Sequence, residues 1–305
     1  MRKIFIAILI VALSAGMAFG EGQQESGGGE SGQTMDRGDV ELVYVEWARA
    51  TAITNVAAVI LEEAGWDVDV TSVANAAMWQ SVATGDSDAL LAAWLPATHG
   101  QFYGSDGRFT DQVVDLGPNY TGASLGLVVP AYVEEDSIPE LAENASKYDS
   151  TIVGIDPGAG MMQQTETMIE NDTYGMGDWS LVEGSGATMV AALGDAIDNN
   201  EPIVVTGWAP HVKFARFDLK ILEDPENVFG ESETINTIVR QGLEEDQPEL
   251  YNFLDNMDWS AIEDEVIGRT MVLVSEGMDA DDAAMQAVED NRDLVNSALP
   301  GDLQI

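Results

Sequence analysis

The sequence predicts an α/β protein built as two lobes, and three observations carry that prediction. From Val40 to about Gly207, short apolar runs alternate with segments of helical period, strand then helix, which is the pattern of parallel α/β layers. The alternation restarts at Thr151, beyond an apolar crossing segment over 123–130, so there are two βα series. Once a polar N-terminal stretch is set aside, roughly 265 residues remain, enough for two separate cores.

In order, residues 41–47 alternate as a strand, 50–64 form a helix stopped by Gly65, and 66–72 alternate again. A second helix spans 75–84 with Gly85 as its stop, and 89–93 is a buried strand. The second series opens with a strand over 151–155, the turn Asp156-Pro157-Gly158-Ala159-Gly160, and a helix over about 161–171. A short strand over 179–182, a helix over 188–199 and a strand over 202–206 complete it. Beyond Glu233 the pattern turns helical, with Pro248 opening one helix and a last one near 280–297; these helices are expected to return over the first lobe. There is no internal repeat of fixed period.

The N-terminus carries Arg2 and Lys3, an apolar run from Ile4 to Leu13, and small residues ending at Gly20, which reads as a secretory signal peptide over 1–20. Residues 21–38 are Gly, Ser, Gln and Glu with little to bury and read as a disordered tether. Cysteine is absent, which excludes disulfides, thiolate metal sites and a lipid-modified cysteine anchor. The formal charge is −42, with 54 Asp and Glu against 12 Lys and Arg. Twelve basic residues leave no patch for a phosphate backbone, so nucleic-acid binding is excluded. The acidic residues are spread from Glu21 to Asp302, which fits adaptation of the whole surface to a salty medium better than a field built for a ligand.

Three tryptophans stand where apolar strands run out into loops: Trp47 after YVE, Trp94 within AAWLPATH, and Trp208 within TGWAPH. Strand ends are where α/β proteins concentrate ligand contacts. Three indoles converging on one cavity would hold a methylated ammonium by cation–π attraction, about 0.5 to 2 kcal/mol per ring. Any one of them alone reads as well as a packing residue, and Trp66, Trp79, Trp179 and Trp259, on alternating or helical apolar faces, do read that way. The turn from Asp156 to Met161 offers free amides at a helix N-terminus, either for an anion such as a carboxylate or as a plain tight turn; it lacks the P-loop lysine and the dinucleotide glycine spacing. His99, five residues beyond Trp94, is placed to give a hydrogen bond or a charge to the same anion, while His211 reads as a solvated loop histidine. No nucleophile elbow, HExxH or DxDxDG pattern occurs, so catalysis, a cofactor and a metal are not expected.

The stretches YVEW, NAAMWQSVATGDSDALLAAWLPATH, GLVVPAYV, GIDPGAGMM, EPIVVTGWAPH and FDLKILEDPENVFGE, in order from about residue 40 to 245, resemble the glycine betaine and proline betaine substrate-binding proteins of ABC importers. The resemblance implies a two-lobed, type II-like periplasmic-binding-protein fold with the ligand in the interlobe cleft, lobe I being 39–128 with 234–305 and lobe II 129–233. It implies a tryptophan prism of Trp47, Trp94 and Trp208 around a trimethylammonium group, and a carboxylate held by the amides of Gly160 and Met161 and by His99. It further implies a monomeric, extracytoplasmic, non-enzymatic receptor that delivers its ligand to a membrane permease with its ATPase. Two positions depart from the family pattern. Arg49 stands where related choline binders carry an acidic residue, which argues against choline and offers a second cation for a carboxylate. Val212 replaces the usual aromatic after the Pro-His pair and is expected to loosen one wall of the site.

Overall fold

The computed structural model describes residues 37–301 and 303–305. The expected signal peptide and all but the end of the tether lie outside the described residues. Among the described residues, the Arg37 guanidinium lies 4.7 Å from the Trp66 ring and its Nε donates to Ala64 O.

Among the described residues nine strands form one sheet, eight of them along a single pairing path: β1 (Asp39–Tyr44), β2 (Asp67–Ser72), β3 (Ala89–Leu95), β4 (Val113–Pro130), β5 (Thr151–Val153), β6 (Ser180–Val182), β7 (Val205–Ala209), β8 (Leu219–Ile221) and β9 (Glu233–Arg240). Their order is β2-β1-β3-β9-β4-β7-β5-β6, with β8 also on β4. The outer pairs β1/β2, β1/β3, β5/β6 and β5/β7 are parallel, as the βα alternation predicts. The centre differs: β3/β9, β9/β4, β4/β7 and β4/β8 are antiparallel, so the sheet is mixed.

Two of these strands were not expected at their observed length. β9 was read as the start of the helical tail, yet it is a central strand between β3 and β4. Its polar residues hid it: Glu233, Asn236 and Thr237 are buried and satisfied by side-chain partners, Asn236 by Asp115 and Thr237 by Asn119. β4 is an 18-residue strand rather than a crossing of eight, because its first half, rich in Asp, Gly, Pro and Asn, lacks an apolar run. β7 starts later than expected, so Trp208 lies inside the strand.

β4 belongs to both halves of the sheet. From Val113 to Ala123 it pairs with β9, and from Ser124 to Val128 with β7, Leu125 facing Trp208 in register. Extended backbone thus connects the two halves without an intervening loop.

Helix α1 (Ala48–Glu63) follows β1 directly and is buried on nearly every face. Its alanines let the sheet approach on one side, while Val56 and Ile60 share a core with Phe253, Met271, Ala284 and Val288 of the C-terminal helices. Those helices therefore return over the first half of the sheet; the last expected one is broken at Asn291 into Ala280–Asp290 and Arg292–Ala298. Helix α2 (Asn75–Thr84) ends at Gly85, whose φ of 78° is the left-handed stop its sequence predicts. In the second half, Leu127, Val129, Ile152, Met168 and Trp179 build a separate core. There α3 (Ile138–Glu143), α4 (Gly160–Glu170) and α5 (Gly186–Asn199) follow, α5 opened by a Ser185/Thr188 capping box.

Candidate ligand-binding site

Trp47 caps the N-terminus of α1 in extended conformation, Trp94 is the next-to-last residue of β3, and Trp208 the next-to-last of β7. All three are buried, and together with Thr98, Leu125, Ile155, Ala159, Gly160 and Met161 they line one small cavity of about 30 Å³. Its walls are almost wholly apolar, and two of the three indoles come from one half of the sheet and the third from the other. Trp66, Trp79, Trp179 and Trp259 are buried away from it.

The polar end is built on α4. Gly160 and Met161 are its first two residues, so their amides have no intrahelical acceptor and the positive end of the helix dipole points the same way. Gly160 is fixed as glycine by a close approach: a Cβ there would stand 2.4 Å from the carbonyl oxygen of Thr98. The Thr98 loop is itself pinned by Glu233, whose Oε1 accepts from the amides of Ala97 (2.6 Å) and Thr98 (2.9 Å) and whose Oε2 accepts from the Thr98 hydroxyl.

His99 is fully buried beside these residues, stacked on Trp47 at 5.8 Å between ring centroids and edge-on to Trp79 at 5.7 Å. Its Nδ1 accepts from the Trp94 amide (3.0 Å) and its own amide donates to Trp94 O (2.9 Å), which places the ring proton on Nε2. Nε2 has no partner among the described residues. Burial pushes the imidazole pKa down to about 3, so His99 is a neutral donor and the alternative of a charged partner is withdrawn. His211 is not the solvated loop residue expected; it is buried edge-on against Trp208 at 4.5 Å.

The two sides meet across the cleft. Trp47 Nε1 donates to Asp156 Oδ2 (2.8 Å), Asn75 Nδ2 to Gly158 O (3.0 Å), and Gln101 Nε2 to Gln163 Oε1 (3.1 Å). His99 does not line the tryptophan cavity with Gly160 and Met161, and neither does Arg49. Its guanidinium is held by Glu263 (2.7 and 2.9 Å) and Asn119 (3.0 Å), lies 5.0 Å from the Tyr120 ring, and lines a second small cavity bounded by the three tryptophans, Ala50, Leu91, Ala92 and Ile235. Val212 packs in the core of the first half and does not line the tryptophan cavity.

Residues 38–290 match the family model of the substrate-binding domain of ABC-type glycine betaine transport systems. The chain belongs to that family. Among relatives, it is 41% identical over 176 residues to a glycine betaine/carnitine transport binding protein of Listeria monocytogenes, an alignment spanning 58% of this chain and 56% of that protein. The fold is similar to that of a lactococcal family member crystallised closed with glycine betaine, with 39% identity, a TM-score of 0.76, and coverage of 86% of this chain and 99% of that one. It is also similar to a glycine betaine/L-proline-binding protein of Borrelia burgdorferi, with 36% identity, a TM-score of 0.78, and coverage of 86% and 97%. The architecture is therefore the two-lobed periplasmic-binding-protein fold, and the chain is the substrate-binding component of a betaine/choline-type ABC transporter rather than an enzyme. Such components work outside the cytoplasm, and among the described residues no helix is long and apolar enough to cross a membrane.

Four residues at or beside the site escaped the sequence reading. Asp156 lay in a turn valued for its glycines. Leu125 sits in an unremarkable apolar run, and Glu233 and Lys213 belong to residue types whose ordinary place is the surface.

Proposed function

We propose that this receptor captures glycine betaine, with the trimethylammonium group among Trp47, Trp94 and Trp208 and the carboxylate against the amides of Gly160 and Met161 and Nε2 of His99. The observation that carries this reading is a cavity lined by three tryptophans and by Gly160 and Met161, the first two residues of a helix; the unpartnered Nε2–H of buried His99, stacked on Trp47, supports it. Neutral donors suit a carboxylate here, because a zwitterion brings its own positive charge. The indoles supply the opposite end by cation–π attraction in a desolvated space. A ligand of about eight heavy atoms reaches micromolar affinity, about −8 kcal/mol, well inside the bound for small ligands.

The contacts across the cleft fit lobes, 39–128 with 234–305 against 129–233, that part to admit the ligand and close over it. The closed form would then be presented by a monomer to the permease and its ATPase, after export directed by residues 1–20. Carnitine, named for the Listeria relative, shares the same two chemical ends and is the alternative ligand. Choline lacks the carboxylate and would leave His99 Nε2 and both amides unmatched.

Calorimetric titration of the chain in high salt with glycine betaine, carnitine and choline tests the assignment. Micromolar binding of glycine betaine, weak choline, and loss of binding in Trp208→Ala are expected. Tight choline binding would remove the carboxylate half of the site, and binding undiminished in Trp208→Ala would remove the aromatic half.

A further inference from the structure

Lys213 opens a short helix (Lys213–Arg216) just after β7 and is 0% exposed, an unusual place for a lysine in a chain with so few cations. Its Nζ lies 4.2 Å from the Trp208 ring centroid, 5.2 Å from that of Phe214, and 3.4 Å from its single hydrogen-bond acceptor, Trp208 O. Lys213 lines neither of the two cavities that Trp208 borders. The same indole thus lines the cavity and carries an ammonium group over its ring.

The surroundings offer that ammonium nothing to offset its charge. On β7 it meets Gly207 and Trp208, and Val128 of β4, which packs on Gly207, is apolar. On its own segment it meets Phe214 and His211, whose Nδ1 accepts from the Lys213 amide at 2.9 Å. Burial, and secondly the nearby lysine charge, hold His211 neutral. Among the described residues no carboxylate forms an ion pair with Nζ, and burial pushes the amine pKa down to about 7.

We propose that Lys213 sets the affinity of the site for a cationic ligand: its ammonium lies over the Trp208 ring, and when charged it weakens the hold of that indole on the ligand's positive end. Two cations held by one ring draw on the same quadrupole and repel each other through the low-dielectric interior. The ligand and the lysine proton are then linked, so each expels the other by the same factor. Binding tightens as pH rises through the lysine pKa and releases a proton near neutral pH. Near the indoles His211 stays neutral through burial, while contact of a ligand carboxylate with His99 would raise its pKa, giving proton uptake, the opposite sign.

This inference rests on the glycine betaine reading, and one experiment separates the two. Calorimetric titration of the chain with glycine betaine at pH 6, 7, 8 and 9, in buffers of different ionisation enthalpy, gives both affinity and protons exchanged. The expected result is affinity tenfold or more higher at pH 9 than at pH 6, with up to one proton released per ligand near pH 7. Lys213→Met should release none, and at pH 6 should bind as tightly as the unaltered protein at pH 9. Should Lys213→Met not fold, the unaltered protein alone decides. Binding with a flat pH profile and no proton release overturns the lysine proposal by itself, as does a Lys213→Met protein that keeps both effects. No binding at any pH overturns the betaine reading and this inference with it.

Discussion

The indole Nε1 of Trp47 donates to Asp156 Oδ2 at 2.8 Å, joining residues 109 apart in sequence and on opposite sides of the cleft. The bond fixes the ring plane of one wall of the cavity, and it exists only while the two sides are together. A hydrogen bond to a charged acceptor is worth about 1.5 to 3 kcal/mol. Asp156→Ala is expected to weaken ligand binding about tenfold or more by calorimetry. In a double-mutant cycle, Asp156→Ala should cost far less when Trp47 is already Phe; equal costs in both backgrounds would show that the bond carries no coupling.

Gly160 faces the Thr98 carbonyl so closely that an added methyl has backbone, not a flexible side chain, in its way. Overpacking of this kind costs about 1 to 3 kcal/mol. Because Thr98 and Gly160 belong to opposite sides of the cleft, Gly160→Ala should lower ligand affinity between about fivefold and a hundredfold while leaving the melting temperature of the ligand-free protein nearly unchanged. A large drop in that melting temperature would instead make the contact part of the folded core.

Arg49 is paired with Glu263 in the interior rather than turned towards the polar end of the cavity. Breaking such a pair by removing one partner strands a buried charge, at about 3 to 5 kcal/mol. Arg49→Met alone should lower the melting temperature by about 6 to 20 °C. Arg49→Met combined with Glu263→Met should recover part of that loss. A single variant as stable as the unaltered protein would contradict the pairing.

His99 gives a dependence of stability on pH whose sign is fixed. Its folded pKa is lowered from 6.5 to about 3, so the unfolded chain takes up the proton first. The stability associated with the neutral buried ring is whole above pH 6.5 and is lost progressively as pH falls from 6.5 towards 3. Melting curves from pH 7.5 to 4 should show a decline that is shallower in His99→Gln, where this group no longer titrates. Parallel declines in the two proteins would mean that His99 is not buried in its neutral form.

What could be read from the sequence divides along physical lines. Helix α2 and its stop at Gly85 were legible because a left-handed glycine after an apolar helical face is local information. The parallel outer strands were legible from alternation in β1 and β2 and from short apolar runs elsewhere. β9 was not, since Asn236 and Thr237 look like surface residues until Asp115 and Asn119, more than a hundred positions away, satisfy them. The same distance in sequence hid the partner of Arg49, and burial hid the neutral state of His99. A lysine held over an indole ring leaves no local mark at all, because sequence pattern places lysines in solvent by default.

The continuity of β4 bears on how such a receptor lets go of its cargo. Leu125 belongs to this strand, faces Trp208 across it, and also lines the cavity, so a ligand held there as proposed would sit beside the strand that joins the two halves. Around a pivot, parts travel in proportion to their distance from it. Were the halves to rotate about β4, Leu125 and Trp208, which pair on it, would travel little. On the proposed reading the aromatic pocket beside the strand would be the last part unsealed, with Trp208 the final hold on a departing molecule.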